Sequence, residues 1–238
     1  MQVLALNSSP HMEKGSTASI LNPFLEGMAQ AGAGVKLIYV HELDIKPCLG
    51  CFSCWARTPG KCVQTDDMAA LYPKLAAADV FVLATPVYVD GMTGTMKTLL
   101  DRMIPLIQPF FEIRDDHCRH PRREGTRSGQ VVLVSVSGFT ELDNFDPLVA
   151  HVQAICKNMD RDFAGALLRP CAWALSAWKQ RGVPVEDVYV AARDAGQQLV
   201  QDGRMADHTL ATVSREVIPR KEIVKALNRY YRQVLDTP

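Results

Sequence analysis

The sequence has no surplus of charge of either sign, because 26 lysines and arginines balance 26 aspartates and glutamates. A balanced chain gives no electrostatic reason to bind nucleic acid or a membrane surface. It also lacks a run of about 18 apolar residues, the length at which a helix could cross a membrane. The N-terminus has no basic segment followed by a long apolar stretch, so we expect no secretory signal and a cytoplasmic location.

Three signatures of common ligand sites are also missing. There is no G-x-x-x-x-G-K-[ST] loop for phosphates, no G-x-G-x-x-G between a strand and a helix for dinucleotides, and no G-x-S-x-G elbow for a hydrolase. Gly32 and Gly34 follow a helical segment instead of preceding one. A nicotinamide nucleotide, if the protein uses one, must therefore dock without the Rossmann fingerprint.

Cysteine, by contrast, is concentrated in one segment, where Cys48, Cys51, Cys54 and Cys62 are spaced C-x2-C-x2-C-x7-C. The total of seven cysteines is odd, which argues against a disulfide framework and for metal or redox use in a reducing compartment. Four thiolates in one compact loop suit an iron–sulfur cube, whereas zinc usually prefers two separated pairs. Reduced thiols, a disulfide and zinc remain alternatives at this point.

Other cysteines and tryptophans suggest packing more than chemistry. Cys156 and Cys171 lie in apolar segments, where a buried thiol without a chemical role is expected. Trp173 and Trp178 lie in the C-terminal part of the chain, and we expect core or interface positions for them.

Apolar runs that alternate with amphipathic segments predict an α/β domain with a parallel sheet covered on both faces. The expected strands are 2–6, 35–40, 79–84, 131–136 and 163–168. The expected helices start near Ser16 or Thr17 and at Thr65, with those residues as caps, and continue with 95–107, 143–158, 186–201 and 221–235. Residues 112–128 mix five arginines with four acids and are expected to form a solvated surface insertion.

Ligands of such sheets bind beyond the carboxyl ends of the strands, which here selects loops 7–17, 85–94 and 137–142. The first loop places hydroxyls and Lys14 directly before a helix, an arrangement that suits phosphate. The second loop offers a flat apolar surface, with Pro86 and Tyr88, for an aromatic ring system. An ordinary capped turn in the first loop is the competing interpretation.

Together these segments resemble the NAD(P)H-dependent FMN reductases with a flavodoxin-like fold, and among them the iron–sulfur flavoproteins. The resemblance covers roughly the first 170 residues. It rests on the following segments: 7–10 with Gly15-Ser16-Thr17, the cysteine cluster, Thr65-Asp66-Asp67-Met68, and 84–88 running to Met96-Lys97 and Asp101-Arg102. It implies a five-stranded doubly wound parallel sheet of order 2-1-3-4-5, interrupted by a cysteine-rich loop after the second strand.

The resemblance also implies cofactor roles for particular residues. The FMN phosphate would lie at Ser9, Pro10, His11, Ser16 and Thr17, and the isoalloxazine at Pro86, Val87, Tyr88, Gly91, Met92, Ser137 and Gly138. The metal ligands would be the four clustered cysteines, holding a [4Fe-4S] cluster. His11 stands where the family usually has arginine, and Lys14 is the candidate to supply the missing charge.

The expected function is therefore an FMN-dependent oxidoreductase that accepts electrons from NAD(P)H and passes them to a small molecule or a protein. In such an enzyme the flavin carries the chemistry, so no catalytic side chain is assigned. One alternative is an electron carrier that a ferredoxin-like partner reduces. Another is a cofactor-free signalling module, although the acidic pocket of phospho-acceptor receivers is missing, because the first and third strands lead into Asn7-Ser8-Ser9 and Thr85-Pro86.

The expected organisation is a flavodoxin-like FMN-binding domain over residues 1–175, with the cysteine insertion at 46–64. A helical extension over 176–238 would pack on the same domain. The resemblance further implies a homodimer or a homotetramer, in which the cysteine loop of one subunit approaches the flavin of the other.

Overall fold

The computed structural model describes residues 1–236, which form a parallel β-sheet with helices on both faces. In these residues the strands are β1 (Gln2–Asn7), β2 (Gly34–Tyr39), β3 (Val80–Pro86), β4 (Glu112–Arg114), β5 (His117–Arg119), β6 (Gln130–Val136) and β7 (Asp162–Arg169). The helices are α1 (Ser16–Gln30), α2 (Ser53–Ala56), α3 (Met68–Ala77), α4 (Gly94–Asp101), α5 (Asp146–Met159), α6 (Leu175–Gln180), α7 (Glu186–Asp202), α8 (Asp207–Ser214) and α9 (Arg220–Leu235).

The five long strands lie in the order β2-β1-β3-β6-β7, and every neighbouring pair is parallel. This order confirms the predicted flavodoxin-like sheet, with β6 and β7 as the fourth and fifth strands. The strands are rich in valine and leucine because both faces of the sheet are covered. Since the strands run in one direction, the loops after β1, β3, β6 and β7 meet at one edge.

Successive residues of β1 contribute to opposite cores, as the alternation of a strand requires. Val3 and Ala5 belong to the core that α1 and α7 cover, whereas Leu4 and Leu6 belong to the core beneath α3, α4 and α5. The predicted apolar positions of the first helix, including Phe24 and Met28, are buried in the first of these cores.

The chain after β7 is largely helical, and α7 lies directly against α1. Gly27 and Gly196 are at this crossing, where their lack of a side chain lets the two backbones touch. The two last residues of the predicted extension, 237 and 238, lie outside the described residues. No helix within residues 1–236 is long and apolar enough to span a membrane.

Three predicted boundaries are wrong. Ser16 and Thr17 lie inside α1, whose N-cap is Gly15, and α3 starts at Met68 instead of being capped by Thr65. The helix expected over 95–107 ends at Asp101 and is followed by a short 3-10 turn, Ile104–Leu106, that contains Pro105. Proline cannot donate the backbone hydrogen bond that would continue the helix.

The charged segment 112–128 contains a short antiparallel hairpin, β4 and β5, which the sequence did not predict. Asp115 and Asp116 form its turn with positive φ angles, a conformation that aspartate tolerates. Because Ile113 is exposed, the hairpin lacks the buried alternation that makes strands recognisable.

Candidate functional site at the carboxyl edge of the sheet

A cleft of about 200 Å³ opens where the loops after β1, β3, β6 and β7 meet. It is lined by Ser9, His11, Ser16, Thr17, Pro86, Val87, Tyr88, Val136, Ser137, Gly138, Ala172 and Trp173. The structure thus brings together nine of the residues proposed from the sequence for cofactor binding. The cleft is small for a whole ligand, so a ligand seated there would extend beyond it.

The polar end of the cleft is the start of α1. Its N-cap is Gly15, which has no side chain that could accept hydrogen bonds from the first backbone N–H groups. The first turn contains no acidic residue. The first backbone N–H groups of a helix have no partner within the helix and favour an anion. A Cβ atom on Gly15 would lie 2.6 Å from Oγ of Ser9, so any other residue there would displace the Ser9 hydroxyl from the start of α1.

Thr17 supplies the most specific sign of a ligand-binding position at this end. Its side chain is almost fully buried, yet Oγ1 has no hydrogen-bond partner. Asn7, at the end of β1, is also buried, and its Nδ2 lacks a partner while its Oδ1 accepts from the Ser9 N–H at 2.9 Å. A buried polar group without a partner costs free energy, so such groups usually mark a ligand or water position.

A buried hydroxyl network fixes the first and second loops relative to each other. Thr93 Oγ1 donates to Ser8 Oγ at 2.8 Å. The same oxygen accepts from the Met96 N–H, so Thr93 is the N-cap of α4. The Thr93 N–H in turn donates to Thr85 Oγ1 at 3.1 Å. The loops after β1 and β3, which flank the cleft, are therefore joined by buried hydrogen bonds.

The second loop forms a tight turn at the cleft's rim, where Tyr88 and Gly91 exchange two backbone hydrogen bonds. Val89 and Asp90 both have positive φ angles, and Val89 is 99% exposed. A β-branched residue in this conformation is strained, and strain of this kind concentrates at functional sites. Tyr88 is half-exposed and lines the cleft.

Pro10, Gly91 and Met92 do not line the cleft, unlike the other residues proposed for cofactor binding. Met92 is buried in the core beneath α3, α4 and α5, and Gly91 closes the turn with Tyr88. Pro10 precedes the 3-10 turn Met12–Lys14 and is exposed.

The opposite wall joins the loops after β6 and β7. The Ser137 N–H donates to the Arg169 carbonyl, the Cys171 N–H donates to the Phe139 carbonyl, and Trp173 Nε1 donates to the Gly138 carbonyl at 3.1 Å. This last bond places the indole of Trp173 in the cleft wall. Trp173 is therefore not a core residue, since it is 46% exposed and lines the cleft, whereas Trp178 is buried as expected.

Three cleft residues were not predicted from the sequence: Trp173, Ala172 and Val136, which is the last residue of β6. A signal was present, because the rule that selected the loops after the first, third and fourth strands applies equally after the fifth. Because residues 170–178 are mostly apolar, the sequence indicates packing for them and does not place them in the site.

Cys156 and Cys171 are buried as expected, and burial raises the pKa of Cys156 to about 12.

The cysteine loop is closed at its base by a buried ion pair. Arg102, just after α4, donates to both carboxylate oxygens of Asp66, at 2.6 and 3.1 Å, and to the Lys46 carbonyl at 2.7 Å. Asp66 also accepts from the Lys46 N–H. Burial raises the pKa of Asp66, but the hydrogen bonds and charge of Arg102 outweigh it, and the net pKa lies below its usual range.

Arg102 also reaches the cysteines, since its Nη2 lies 3.4 Å from Cys62 Sγ. Cys54 is buried, and its pKa is raised by burial and by the nearby thiols of Cys62, Cys51 and Cys48. Cys51 is exposed, and hydrogen bonds from Ser53 lower its pKa. Cys54 thus lies within electrostatic range of the other three thiols.

The thiols are nevertheless not arranged as a metal site. Within residues 1–236, no group of three histidine, cysteine, aspartate or glutamate side chains is placed to hold a metal ion. The four cysteines predicted as metal ligands are therefore not positioned to coordinate one metal ion in this conformation. Cys48 and Cys51 are exposed. Coordination of one metal cluster by all four cysteines would require these two side chains to turn toward Cys54 and Cys62.

Aromatic side chains surround this loop. Trp55 donates from Nε1 to the carbonyls of Ile104 and Ile107, and its ring contacts Phe52 and His120. His120 also contacts Phe111, so the hairpin segment packs against the cysteine loop. We call the exposed apolar residues here the loop surface: Leu49, Phe52, Phe110, Phe111 and Ile113.

The residues of the cleft fit a phosphorylated flavin. The uncapped start of α1 and the unpaired Thr17 hydroxyl suit a phosphate, and Pro86, Val87 and Tyr88 offer an apolar surface to a ring. The cleft holds few titratable side chains, His11 and Tyr88, so it is suited to positioning a cofactor more than to acid–base chemistry.

Comparison with known proteins identifies relatives that are named iron-sulfur flavoproteins. An iron-sulfur flavoprotein of Methanocaldococcus jannaschii is 33% identical over 106 residues, which are 44% of this chain and 53% of that protein. An iron-sulfur flavoprotein of Archaeoglobus fulgidus is 35% identical over 102 residues, 43% of this chain and 48% of that protein. The chain spans about half the length of these curated relatives.

Among solved structures, an NAD(P)H:quinone oxidoreductase from Methanothermobacter marburgensis superposes with a TM-score of 0.58 at 17% identity, covering 84% of this chain and 96% of that one. At this identity the likeness shows the fold alone. The model of the NADPH-dependent FMN reductase family matches residues 1–138. Because this match covers more than half of the chain, the protein belongs to the NADPH-dependent FMN reductase family.

Proposed function

We propose that the protein is an FMN-dependent oxidoreductase that takes electrons from NAD(P)H and passes them to a small-molecule or protein acceptor. The observation that carries this proposal is the buried, unpaired hydroxyl of Thr17 at the uncapped start of α1, inside a cleft walled by the loops after β3, β6 and β7. Bound FMN would supply the capacity to accept a hydride and to release electrons.

The residues of this chain have three separate tasks in that proposal. Ser9, Ser16 and Thr17 hold the phosphate, with the helix dipole of α1 favouring its negative charge. Pro86 and Tyr88 support one side of the ring system and exclude water from it. Ser137 and Gly138 close the other side.

Support also comes from a solved structure that superposes on this chain. An FMN-dependent NADH-azoreductase from Bacillus anthracis, in complex with FMN, covers 84% of this chain and is itself covered to 99%, with a TM-score of 0.58 at 13% identity. The shared fold and the family membership favour FMN over other nucleotides at this cleft.

The test is the visible spectrum of the purified protein together with a titration of FMN-free protein with FMN. We expect bound flavin absorbance, one FMN per chain, and bleaching of that absorbance by NADH or NADPH under anaerobic conditions. Colourless, folded protein that does not bind added FMN would overturn the proposal. Bound flavin that neither nucleotide reduces would remove NAD(P)H as the donor and leave the binding site in place.

We further propose that Cys48, Cys51, Cys54 and Cys62 bind a [4Fe-4S] cluster. The C-x2-C-x2-C-x7-C spacing, the proximity of Cys54 to the other three thiols and the names of the curated relatives support this. Cluster binding requires Cys48 and Cys51 to turn toward Cys54 and Cys62. Iron and acid-labile sulfide analysis of anaerobically purified protein tests it, and iron near zero would exclude the cluster.

A second candidate function is that of an electron carrier reduced by a ferredoxin-like protein. The exposure of Cys48 and Cys51 favours it, because a cluster bound there would lie at the surface, within reach of a protein donor. Stopped-flow reduction separates the two functions. A carrier is reduced rapidly by ferredoxin and slowly by NADPH, whereas the enzyme reacts rapidly with NADPH.

A cytoplasmic location is part of the same proposal. All seven cysteines are unpaired in the structure, as suits a reducing compartment.

A further inference from the structure

The last helix, α9, is an element that the functions proposed above do not use. It runs from Arg220 to Leu235, and it contributes to the hydrophobic core only through Ile223, which is buried, and Leu227, which is partly buried. The other residues of the helix are exposed. A helix with so little of its surface covered, and with apolar side chains among the exposed ones, usually has a partner outside the chain.

The exposed apolar side chains of α9 lie along one side of the helix. They recur at spacings of three, four and seven residues and are between 48% and 81% exposed. Two of them are tyrosines whose rings lie 5.2 Å apart in an edge-to-face arrangement. We call these residues the apolar stripe: Val224, Tyr230, Tyr231, Val234 and Leu235.

Basic side chains form a second stripe on the same helix. Four of them are spaced by three or four residues, so they also share one side of α9. Lys225 directly follows Val224, and Arg232 directly follows Tyr231. Because each residue turns the helix by about 100°, the two stripes border each other. In the part of the chain that the structure describes, none of the four makes an ion pair. We call them the basic stripe: Lys221, Lys225, Arg229 and Arg232.

The charge of α9 differs from that of the rest of the chain. Five lysines and arginines against one glutamate give the helix a net charge of +4. Because the whole chain is neutral, its remaining residues carry a net charge of −4. The balance of the complete sequence therefore conceals a basic helix, and this helix favours a negatively charged partner.

The two stripes together distinguish between possible partners. A second α9 is unfavourable, because two helices of charge +4 would repel each other. An acidic protein surface would attract the basic stripe but offers less to cover five exposed apolar side chains. An anionic bilayer offers both, since its phosphates lie directly above an apolar layer, and tyrosine is enriched at membrane–water interfaces.

We propose that α9 binds reversibly to the surface of anionic lipid membranes. The helix lies parallel to the surface, with the apolar stripe at the level of the headgroups and the basic stripe on the lipid phosphates. This attachment is independent of the proposed oxidoreductase function, because no residue of α9 lines the cleft. Its strength falls as the salt concentration rises, because a large part of the attraction is electrostatic.

Co-sedimentation of the complete chain with lipid vesicles tests the proposal. We expect binding to mixed vesicles of equal parts phosphatidylcholine and phosphatidylglycerol, little binding to vesicles of phosphatidylcholine alone, and release at high salt. Failure to bind the mixed vesicles, or equal binding to both kinds, would overturn the proposal. Binding to soluble polyglutamate without binding to the mixed vesicles would assign α9 to an acidic protein, and would overturn it as well.

Two sets of substitutions test the two stripes separately. Lys225→Gln, Arg229→Gln and Arg232→Gln together should weaken binding to the mixed vesicles about 100-fold, because each basic residue near an anionic surface contributes about fivefold. Tyr231→Ser with Leu235→Ser should weaken it about tenfold or more, because both substitutions remove apolar surface that the bilayer covers. All five residues are exposed, so the free energy of unfolding should stay unchanged.

The matched control for charge is Lys36→Gln, Lys157→Gln and Arg204→Gln together, because these exposed cations lie on β2, on α5 and directly after α7. This variant has the same net charge as the triple variant of the basic stripe, but it should bind the mixed vesicles as the unchanged chain does. An equal loss of binding in both would show that net charge decides and not α9, and would contradict the proposal. The molar mass of each variant is measured by light scattering without vesicles. A change of mass in the α9 variants alone would assign the helix to an interface between copies of the chain, and would likewise overturn the proposal.

Discussion

Thr17 has an unusual position for a threonine, because its hydroxyl is enclosed by protein but has no hydrogen-bond partner. Valine has nearly the same shape and lacks only this hydroxyl. We predict that Thr17→Val weakens FMN binding about 10- to 100-fold, since a hydrogen bond to a charged group contributes roughly 1.5–3 kcal/mol. The dissociation constant for FMN, from fluorescence titration of FMN-free protein, is the measurement.

The stability of the same variant gives an independent readout. Removing an unpaired buried hydroxyl should leave the free energy of unfolding unchanged or raise it, which urea unfolding of the FMN-free protein measures. Ser19→Ala is the matched control, because the Ser19 hydroxyl bonds to the Ser16 carbonyl within α1 and does not line the cleft. Unchanged FMN affinity in Thr17→Val would show that the phosphate does not use this hydroxyl.

Individual residues also show how far the sequence could predict the cleft. The hydroxyl-rich segment between the first strand and helix is compatible with phosphate binding, and the family resemblance singled out Ser9, Ser16 and Thr17 within it. Trp173 was not predicted, because its position depends on where β7 ends and on the left-handed backbone of Cys171, with φ of 50°. A positive φ at cysteine has no signal in the sequence.

At the scale of elements, the crossing of α1 and α7 depends on two glycines. A Cβ atom on Gly27 would lie 1.9 Å from the Arg193 carbonyl oxygen, and one on Gly196 would lie 2.1 Å from the Phe24 carbonyl oxygen. Alanine would raise the helix propensity of either helix by about 1 kcal/mol. The backbone clash is larger, because neither helix can move without disturbing its packed core.

We therefore predict that Gly27→Ala and Gly196→Ala each lower the free energy of unfolding by roughly 1–3 kcal/mol. Thermal and urea unfolding measure the change. Gly94→Ala is the control, since Gly94 is helical and a Cβ atom there meets no other atom within 4 Å. Its stability should be unchanged or slightly higher, and a similar loss in all three variants would contradict the role of the crossing.

The base of the cysteine loop depends on the ion pair between Asp66 and Arg102, whose side chains are at most 1% exposed. Asp66→Asn leaves the charge of Arg102 buried and unpaired. We predict a loss of roughly 3–5 kcal/mol in the free energy of unfolding at pH 7. Asp101→Asn is the control, because the exposed pair of Asp101 with Lys97 should contribute about 1 kcal/mol or less.

The pH dependence of this loss has a defined sign. Since the pKa of Asp66 is lower in the folded protein, its contribution is complete above the unfolded pKa, about 4. The contribution falls as the pH drops through the folded pKa. The stability difference between the unchanged chain and Asp66→Asn should therefore be constant above about pH 5 and shrink in more acidic solution. A difference that grows on acidification would contradict the ion-pair account.

At this scale the sheet was predictable from the sequence, whereas the hairpin β4–β5 and the geometry of the cysteine loop were not. The alternation of apolar strands with helices predicted a parallel sheet covered on both faces, and the family resemblance implied its order, which β1, β2, β3, β6 and β7 confirm. The hairpin β4–β5 has no buried face, and its residues are mostly charged. The geometry of the cysteine loop likewise depends on distant partners such as Arg102.

For the whole molecule, the loop surface is the feature that a single chain does not explain. Phe110, Phe111 and Ile113 are between 66% and 75% exposed, next to exposed Leu49 and Phe52. Exposed apolar residues grouped in this way usually mark an interface. The rim of the cleft offers further exposed apolar side chains, Val89 and Phe139. Contact between the loop surface of one subunit and the rim of another would cover both.

We predict that the protein is a homodimer whose interface includes the loop surface. Light scattering should give twice the chain mass of 26.3 kDa, and Phe110→Glu with Phe111→Glu should shift the protein toward the monomer, because two buried, unpaired carboxylates oppose association. Val190→Glu on α7 is the control, since Val190 is also exposed but lies far along the chain from both surfaces, and its variant should remain dimeric. A monomer in the unchanged chain, or a dimer that tolerates both glutamates, would contradict this prediction.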